Sequence, residues 1–553
     1  MRRLILSATV LVAVTSGLRA QDPSRLLVVV MVDQMRADYL SRFDEHWHAG
    51  FRTLLDEGLS FEQARYPYYN TWTCAGHATV STGTLPRTHG MISNAWWDRE
   101  TGRSIACTYD PDAPAVPYRE PEPTEESTEE PAENNGGEPA EDDDDSPRRG
   151  DSPRWLLVPT LGDELRARKP GSRVVTLSLK ARSAIALAGR EGDAVLWFDA
   201  GARGFVTSEA YARTPVPEVR RFIEEHPIER DHGSAWTLLA PAASYLNRDA
   251  GVGEAPLRGW TGLFPHAVEG REGIDGQFYM RWEYSPYADA YVGQMAASLV
   301  EQLALGQRGT TDFLGVSFSV LDNVGHDFGP DSREVEDVLR RLDETLGALI
   351  AALDEHVGRD RYRLALTADH GVPPIARAVR AGTIASSDVR DRIEVTLIEA
   401  FGALDEGSYV LSASTGEIVL APGIFGRLVA RPDVYAAVER EVTDIPGVVR
   451  ILRADELLVD SPDPVVRAVA LGHVPGRSGD IVAIPEPNWY FGSSGTTHGS
   501  LYDYDQQVPL LFLGGGVRAG RDTTPVTPAD IAPTLGSFGG IRLPEAEGRV
   551  LVE

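Results

Sequence analysis

Uninterrupted apolar runs alternate along this chain with stretches whose apolar residues recur every three or four positions. Leu26 to Val32 (LLVVVMV) is a β-branched run that ends in Asp33, and Val174–Leu179, Ala194–Phe198, Phe313–Val320, Leu364–Thr367 and Val508–Leu513 are of the same kind. Runs of this length without polar alternation predict strands buried on both faces of a parallel sheet. The clearest helical stretch covers about Arg333 to Val357, where Val335, Val338, Leu339, Leu342, Leu346, Leu349, Ile350 and Leu353 form one apolar stripe. Strand–helix alternation predicts an α/β fold, a three-layer sandwich around a mostly parallel central sheet. Two stretches interrupt the pattern. About 203–288 is rich in Pro, Trp and Tyr and reads as an insertion, and about 379–491 reads as a smaller α+β lobe. No internal repeat is apparent.

The ends of the pattern add a compartment and a loop. Arg2 and Arg3 precede an apolar run from Leu4 to Val14, followed by the small residues Ser16, Gly17 and Ala20. This order predicts a signal peptide over residues 1–20, because a bilayer span needs about 20 apolar residues. The mature chain, 21–553, is then periplasmic or secreted and has no membrane partner once the signal is cleaved. From Pro117 to Asp151 there are 14 acidic and three basic residues with almost nothing apolar. Such a segment cannot bury enough surface to offset its ordering entropy, which predicts a disordered acidic loop over 117–151.

Composition narrows the chemistry. The chain has 553 residues and a formal charge of −29, of which the acidic segment supplies −11. That length exceeds one ordinary core and calls for insertions or further domains. The acidity argues against nucleic acid as a binding partner. Two cysteines exclude a disulfide scaffold, a four-cysteine zinc site and an iron–sulfur cluster, and they leave room for one Cys74–Cys107 bridge. The remaining candidates sit where strands end. Asp33 ends the first run, Asp322 and His326 follow Phe313–Val320, Asp369 and His370 follow RLALTA, and His498 lies in GSSGTTHGS. Ligands in open α/β sheets bind beyond the carboxyl ends of strands. Three Asp and three His with no thiolate suit a two-zinc hydrolytic site. Each residue alone has a plainer reading as a helix cap or turn. The joint placement carries the argument.

The segments VVVMVDQMRADYL, TWTCAGHATVSTGTLPRTHGMISNAWW, SLKAR, SVLDNVGHDFGP, TADHGV and TTHGS together resemble the alkaline phosphatase superfamily. The resemblance is to its bacterial phosphate-irrepressible branch, whose nucleophile is a threonine. It runs from about Leu27 to the C-terminal VTPADIAPTLGSFGGI, so residues 21–553 would form one alkaline phosphatase-like catalytic domain. It implies Thr73 as nucleophile and two zinc ions. One zinc would be held by Asp322, His326 and His498, and the other by Asp33, Asp369 and His370 with Thr73 on its open position. Asn94 would contact a phosphoryl oxygen, and Lys180 and Arg182 would mark the monoesterase. The family commonly has Ala-Pro after the nucleophile where this chain has Cys74-Ala75. His77 and His89 match positions used for packing. The implied activity is hydrolysis of phosphate monoesters, with broad specificity, through a phosphothreonine intermediate. A phosphodiesterase or nucleotide pyrophosphatase of the same superfamily would share both metal sites and the threonine but lack the Lys–Arg pair. A non-catalytic metal-binding protein is the alternative from another class. A sulfatase would need Cys-x-Pro-x-Arg, which Cys74-Ala75-Gly76-His77-Ala78 does not supply.

Overall fold

Seven consecutive apolar residues, Leu26–Val32, form a strand in which every side chain is buried. The reason is symmetric cover. Leu26, Val28, Val30 and Val32 join one core, while Leu27, Val29 and Met31 join another on the opposite face. The computed structural model describes residues 24–119, 150–492 and 495–552. The expected signal peptide at 1–20 and residues 120–149 of the acidic segment lie outside the described residues.

Five parallel strands make the middle of the main sheet: β1 (Leu26–Val32), β2 (Val174–Ser178), β3 (Ala194–Asp199), β4 (Asp312–Phe318) and β5 (Tyr362–Thr367). Their spatial order is β5-β1-β4-β2-β3. Leu26 pairs with Asp312 on one side and Tyr362 on the other, so these strands end in step. Helices lie on both faces, as the sandwich reading expects. The first core takes the long helix over Arg333–His356, and the second takes the helices Leu161–Arg168, Ala181–Ala188 and Ile531–Phe538.

Among the described residues the sheet has eleven strands and is mixed, with the parallel strands at its centre. Leu510–Gly514 runs antiparallel beside β5, and Gly204–Ser208 runs antiparallel beside β3. The reason is connection length. Asp199 turns into Gly204 through four intervening residues, too few for the crossover helix a parallel neighbour requires. The apolar run expected to continue to Val320 stops at Phe318, because Val320 opens a helix. Gly204–Ser208 belongs to the main sheet, so the stretch from Arg203 does not leave the core until later. Pro117 and Gly150–Asp151 are likewise strand residues rather than loop. Within 379–491 a separate four-stranded antiparallel sheet (Val410–Ser414, Glu417–Leu420, Ile481–Pro485, Val448–Arg453) is packed by the helices Ser386–Phe401 and Pro432–Thr443 around its own core.

Candidate metal centre and nucleophile

The carboxyl ends of β1, β4, β5 and β2 open on one edge of the sheet, and each delivers charged side chains there. Asp33 follows β1, Asp369 and His370 follow β5, and Lys180 follows β2. After β4 the chain enters helix α3 (Val320–Phe328), with α1 (Thr73–Thr82) and α2 (Ala181–Ala188) being the earlier helices at this edge. Asp322 and His326 are one turn apart on α3 and so share a face. His498 arrives from the loop after the second lobe. The structure brings the six together as two triads, Asp322/His326/His498 and Asp33/Asp369/His370, with ligand atoms in each within 4.8 Å of one another. The triads touch through stacked His370 and His498 rings, whose centroids are 3.5 Å apart.

A donor set fits a cation when its lone pairs are free and its geometry is fixed. The three histidines meet the second condition alike. Nδ1–H of His326 donates to the Thr496 carbonyl (2.7 Å), that of His370 to Gly371 (3.0 Å) and that of His498 to Thr71 (2.7 Å). Each carbonyl can only accept, so Nδ1 carries a proton in all three, which leaves Nε2 as the ring atom that could ligate. The first condition is met by Asp33 Oδ1 and His498 Nε2, which are buried with no hydrogen bond, and in part by Asp369 Oδ2, whose near neighbours are the His77 and His370 rings at 3.2 and 3.5 Å. Burial together with the repulsion of Asp322 and Asp369 pushes the Asp33 carboxyl well above its ordinary range. Burial works the same way on Asp322, but Lys180 and His326 beside it hold that group well below the range. Burial lowers His370, and burial with His370 and His326 nearby lowers His498. Imidazoles that burial biases toward the neutral form, as at His370 and His498, among crowded carboxylates are what a divalent cation binds.

Thr73 opens α1, a helix buried along its whole length. Its Oγ1 lies 3.5 Å from His370 Nε2. The N-cap residue Trp72 supplies no side-chain cap of its own. Gly76 makes the close approach possible, since a β-carbon there would stand 2.5 Å from Asp369 Cβ. Asn94 faces the same helix start and accepts from the Cys74 N–H at 3.0 Å. The Lys180 ammonium bonds Asp33 Oδ2 at 3.0 Å and also Asp322, so it stands between one carboxylate of each triad. Burial opposes its charge, yet Asp322 and Asp33 raise Lys180 above its ordinary value. Arg182 lies on the first turn of α2. Cys74 and Cys107 are bridged. His77 bonds the Thr73 carbonyl and Ser317 and stands 3.2 Å from Asp369 Oδ2, so it braces the second triad without being one of its three ligands, and His89 bonds Thr79 and the Met91 N–H, away from both triads.

Gln34 is the residue sequence reading passes over. Its N–H donates to Asp369 Oδ1 (3.1 Å) and its Nε2 to Asp322 Oδ1 (2.6 Å), which ties the triads together. It does so from the left-handed region at φ 66°, rare for a residue with a side chain. Its position directly after Asp33 was the only available signal.

Residues 27–506 match the family described as type I phosphodiesterase / nucleotide pyrophosphatase. The chain is 30% identical to alkaline phosphatase PafA of Elizabethkingia meningoseptica over 96% of this chain and 94% of the relative. It is 31% identical to a protein of Myroides odoratus named calcium-transporting ATPase, over 96% and 94%. It is 30% identical to alkaline phosphatase PhoV of Synechococcus elongatus, over 96% and 92%. A crystal structure of wild-type PafA superposes with a TM-score of 0.83 at 30% identity, covering 96% of this chain and 99% of that one. A solved PafA variant has a threonine, an asparagine, a lysine and an arginine replaced. Its Thr–Asn and Lys–Arg separations of 21 and 2 residues equal those of Thr73–Asn94 and Lys180–Arg182.

Proposed function

The chain belongs to the type I phosphodiesterase / nucleotide pyrophosphatase family within the alkaline phosphatase superfamily, and on that premise we propose that it is a two-zinc alkaline phosphatase. It hydrolyses phosphate monoesters of broad range through a phosphothreonine intermediate. The observation that carries this reading is the pair of ligand triads beside one buried threonine hydroxyl. Imidazole and carboxylate donors without thiolate favour zinc in both places.

Asp322, His326 and His498 would hold one ion, and Asp33, Asp369 and His370 the other. Bound there, the ions supply the positive charge that acidifies the Thr73 hydroxyl and steadies the attacking and leaving oxygens. Thr73 Oγ1 forms a bond to phosphorus while the ester oxygen leaves as an alcohol. Water then cleaves the phosphothreonine and restores the hydroxyl. Asn94 Nδ2, whose Oδ1 is already committed, donates to a phosphoryl oxygen. Arg182 offers a two-point fork and Lys180 a point charge. A monoester dianion places more charge on those oxygens than a diester does, which favours the monoester. The names of the full-length relatives support the same choice.

The family's description keeps the diesterase reading as the second one. Comparing an aryl phosphate with its methyl diester decides between them. The monoester is expected to have a kcat/KM higher by about 100-fold or more. A diester turned over faster would overturn the phosphomonoesterase reading, and zero turnover of either by a metal-loaded protein would favour a binding role. Export belongs to the proposal too: the mature protein recovered outside the cytoplasm should begin near Gln21, and an intact N-terminus would contradict it.

A further inference from the structure

Asn94 stands at the base of a short hairpin, Ala95–Asp98 paired with Arg103–Ala106. Among the described residues this ribbon has two strands and joins no larger sheet. Two-stranded ribbons are marginal alone, so its position must be imposed from outside. Its far end is held by Arg99, which bonds Asp480 and the Ser478 carbonyl, each at 3.2 Å. Its near end is held by the disulfide. Cys107 directly follows the second strand, and Cys74 directly follows Thr73. The bridge spans 33 residues of sequence with Cα atoms 6.7 Å apart.

Both bridged residues also grip Asn94. The Cys107 N–H donates to the Asn94 carbonyl at 2.8 Å, and the Cys74 N–H donates to Asn94 Oδ1 at 3.0 Å. The second bond fixes which end of the amide is oxygen, because an N–H can meet only an acceptor. The other end, Nδ2, is buried with no hydrogen bond of its own. We propose that the Cys74–Cys107 bridge is a positioning device of the active site. By locking the first turn of α1 to the hairpin base, it holds the Asn94 amide with its two N–H donors aimed at the phosphoryl group above Thr73. This rests on the phosphatase reading and assigns the bridge a part in transition-state binding as well as in holding the fold.

The test is a cycle of four proteins: wild type, Cys74→Ala with Cys107→Ala, Asn94→Ala, and the three changes together. Each is assayed on an aryl phosphate well below its melting temperature, with metal content measured. Removing the bridge should lower kcat/KM by about tenfold or more, with metal unchanged, as a displaced donor does. In the Asn94→Ala background the same removal should cost less than about twofold. A bridge-free enzyme as fast as wild type, or an equal loss in both backgrounds, would overturn the inference. A wild type inactive on every phosphate ester would overturn the phosphatase reading and this inference with it. Should the bridge-free chain not fold, a trialkylphosphine applied to folded wild type gives the second measurement. The disulfide becomes two thiols while phosphine and one water become the phosphine oxide. Activity should fall in step with thiols formed and return on reoxidation, and full activity in the reduced enzyme would refute the proposal.

Discussion

Two groups of buried carboxylates in this molecule have opposite surroundings. The first lies on helix α4, Arg333–His356. Asp343 accepts from the backbone N–H of His48 (2.7 Å), Ala49 (2.9 Å) and Phe51 (2.7 Å). The helix Gly50–Glu57 has no side-chain cap of its own, so Asp343 caps it from a distant part of the chain. Glu336 accepts from Leu246 and Asn247 N–H, and Asp337 from Leu239 N–H and Trp236 Nε1. The second group is Asp33, Asp322 and Asp369. There, among the described residues, Asp33 Oδ1 and Asp369 Oδ2 accept from no backbone N–H and have the His370 ring and, for Asp369, the His77 ring beside them. Burial alone therefore says little about a carboxylate's purpose. Asp343, Glu336 and Asp337 on α4 are satisfied by fixed N–H dipoles, with Arg341 beside Asp337 and His46 beside Glu336, and they organise loops. Those at the sheet edge are left short of donors, and that deficit is what a cation fills.

The largest effect expected from this contrast follows Asp33→Asn. Activity on an aryl phosphate should fall by about a thousandfold or more while one of two metals is lost. The metal-free melting temperature should hold or rise, because one crowded charge is gone. A loss of fold instead would place Asp33 in the structural group. Chelation ranks next. Stripping the metal should abolish turnover and lower the melting temperature, with both restored by zinc, since an ion bound only to the folded state stabilises it by mass action. Calorimetry with and without chelator checks this. Asp343→Asn should do the reverse of Asp33→Asn, destabilising by about 3 kcal/mol through its lost charged hydrogen bonds while kcat and metal content stay put. A changed metal content would break the division.

A last effect is one of pH. Burial depresses His89 to about 3, and its Nδ1 accepts from the Met91 N–H, so the folded state keeps it neutral. The unfolded chain takes up that proton near its ordinary value of 6.5. Between pH 6.5 and 3 the unfolded state thus binds more protons, and stability should fall as pH falls, by about 1.4 kcal/mol per unit from this group. His89→Gln should flatten the slope of melting temperature against pH in that window. An unchanged slope would show that other groups control it.

Much of this was legible beforehand because it depends on side-chain type in sequence order. The run Leu26–Val32 is a strand in full, and the chemistry-bearing residues do follow strand ends. Three things were not legible. The carbonyls of Thr71, Gly371 and Thr496 that orient the histidines are backbone atoms, identical in every residue. The flanking strands Leu59–Phe61 and Gly520–Asp522 are three residues each, too short to show a period. Lys180 pairs with Asp33 and Asp322 across 147 and 142 residues, a separation that no local pattern encodes.

The span from Asp33 to His498 has a consequence for timing. A nascent chain that has emerged only as far as Phe491 carries five of the six donors but cannot close the first triad. Closure of that triad must therefore await nearly complete synthesis, although Asp33, Asp369 and His370 are all made earlier. The order of events guards against a half-built hydrolase, because the two-triad site is whole only when the chain is nearly finished.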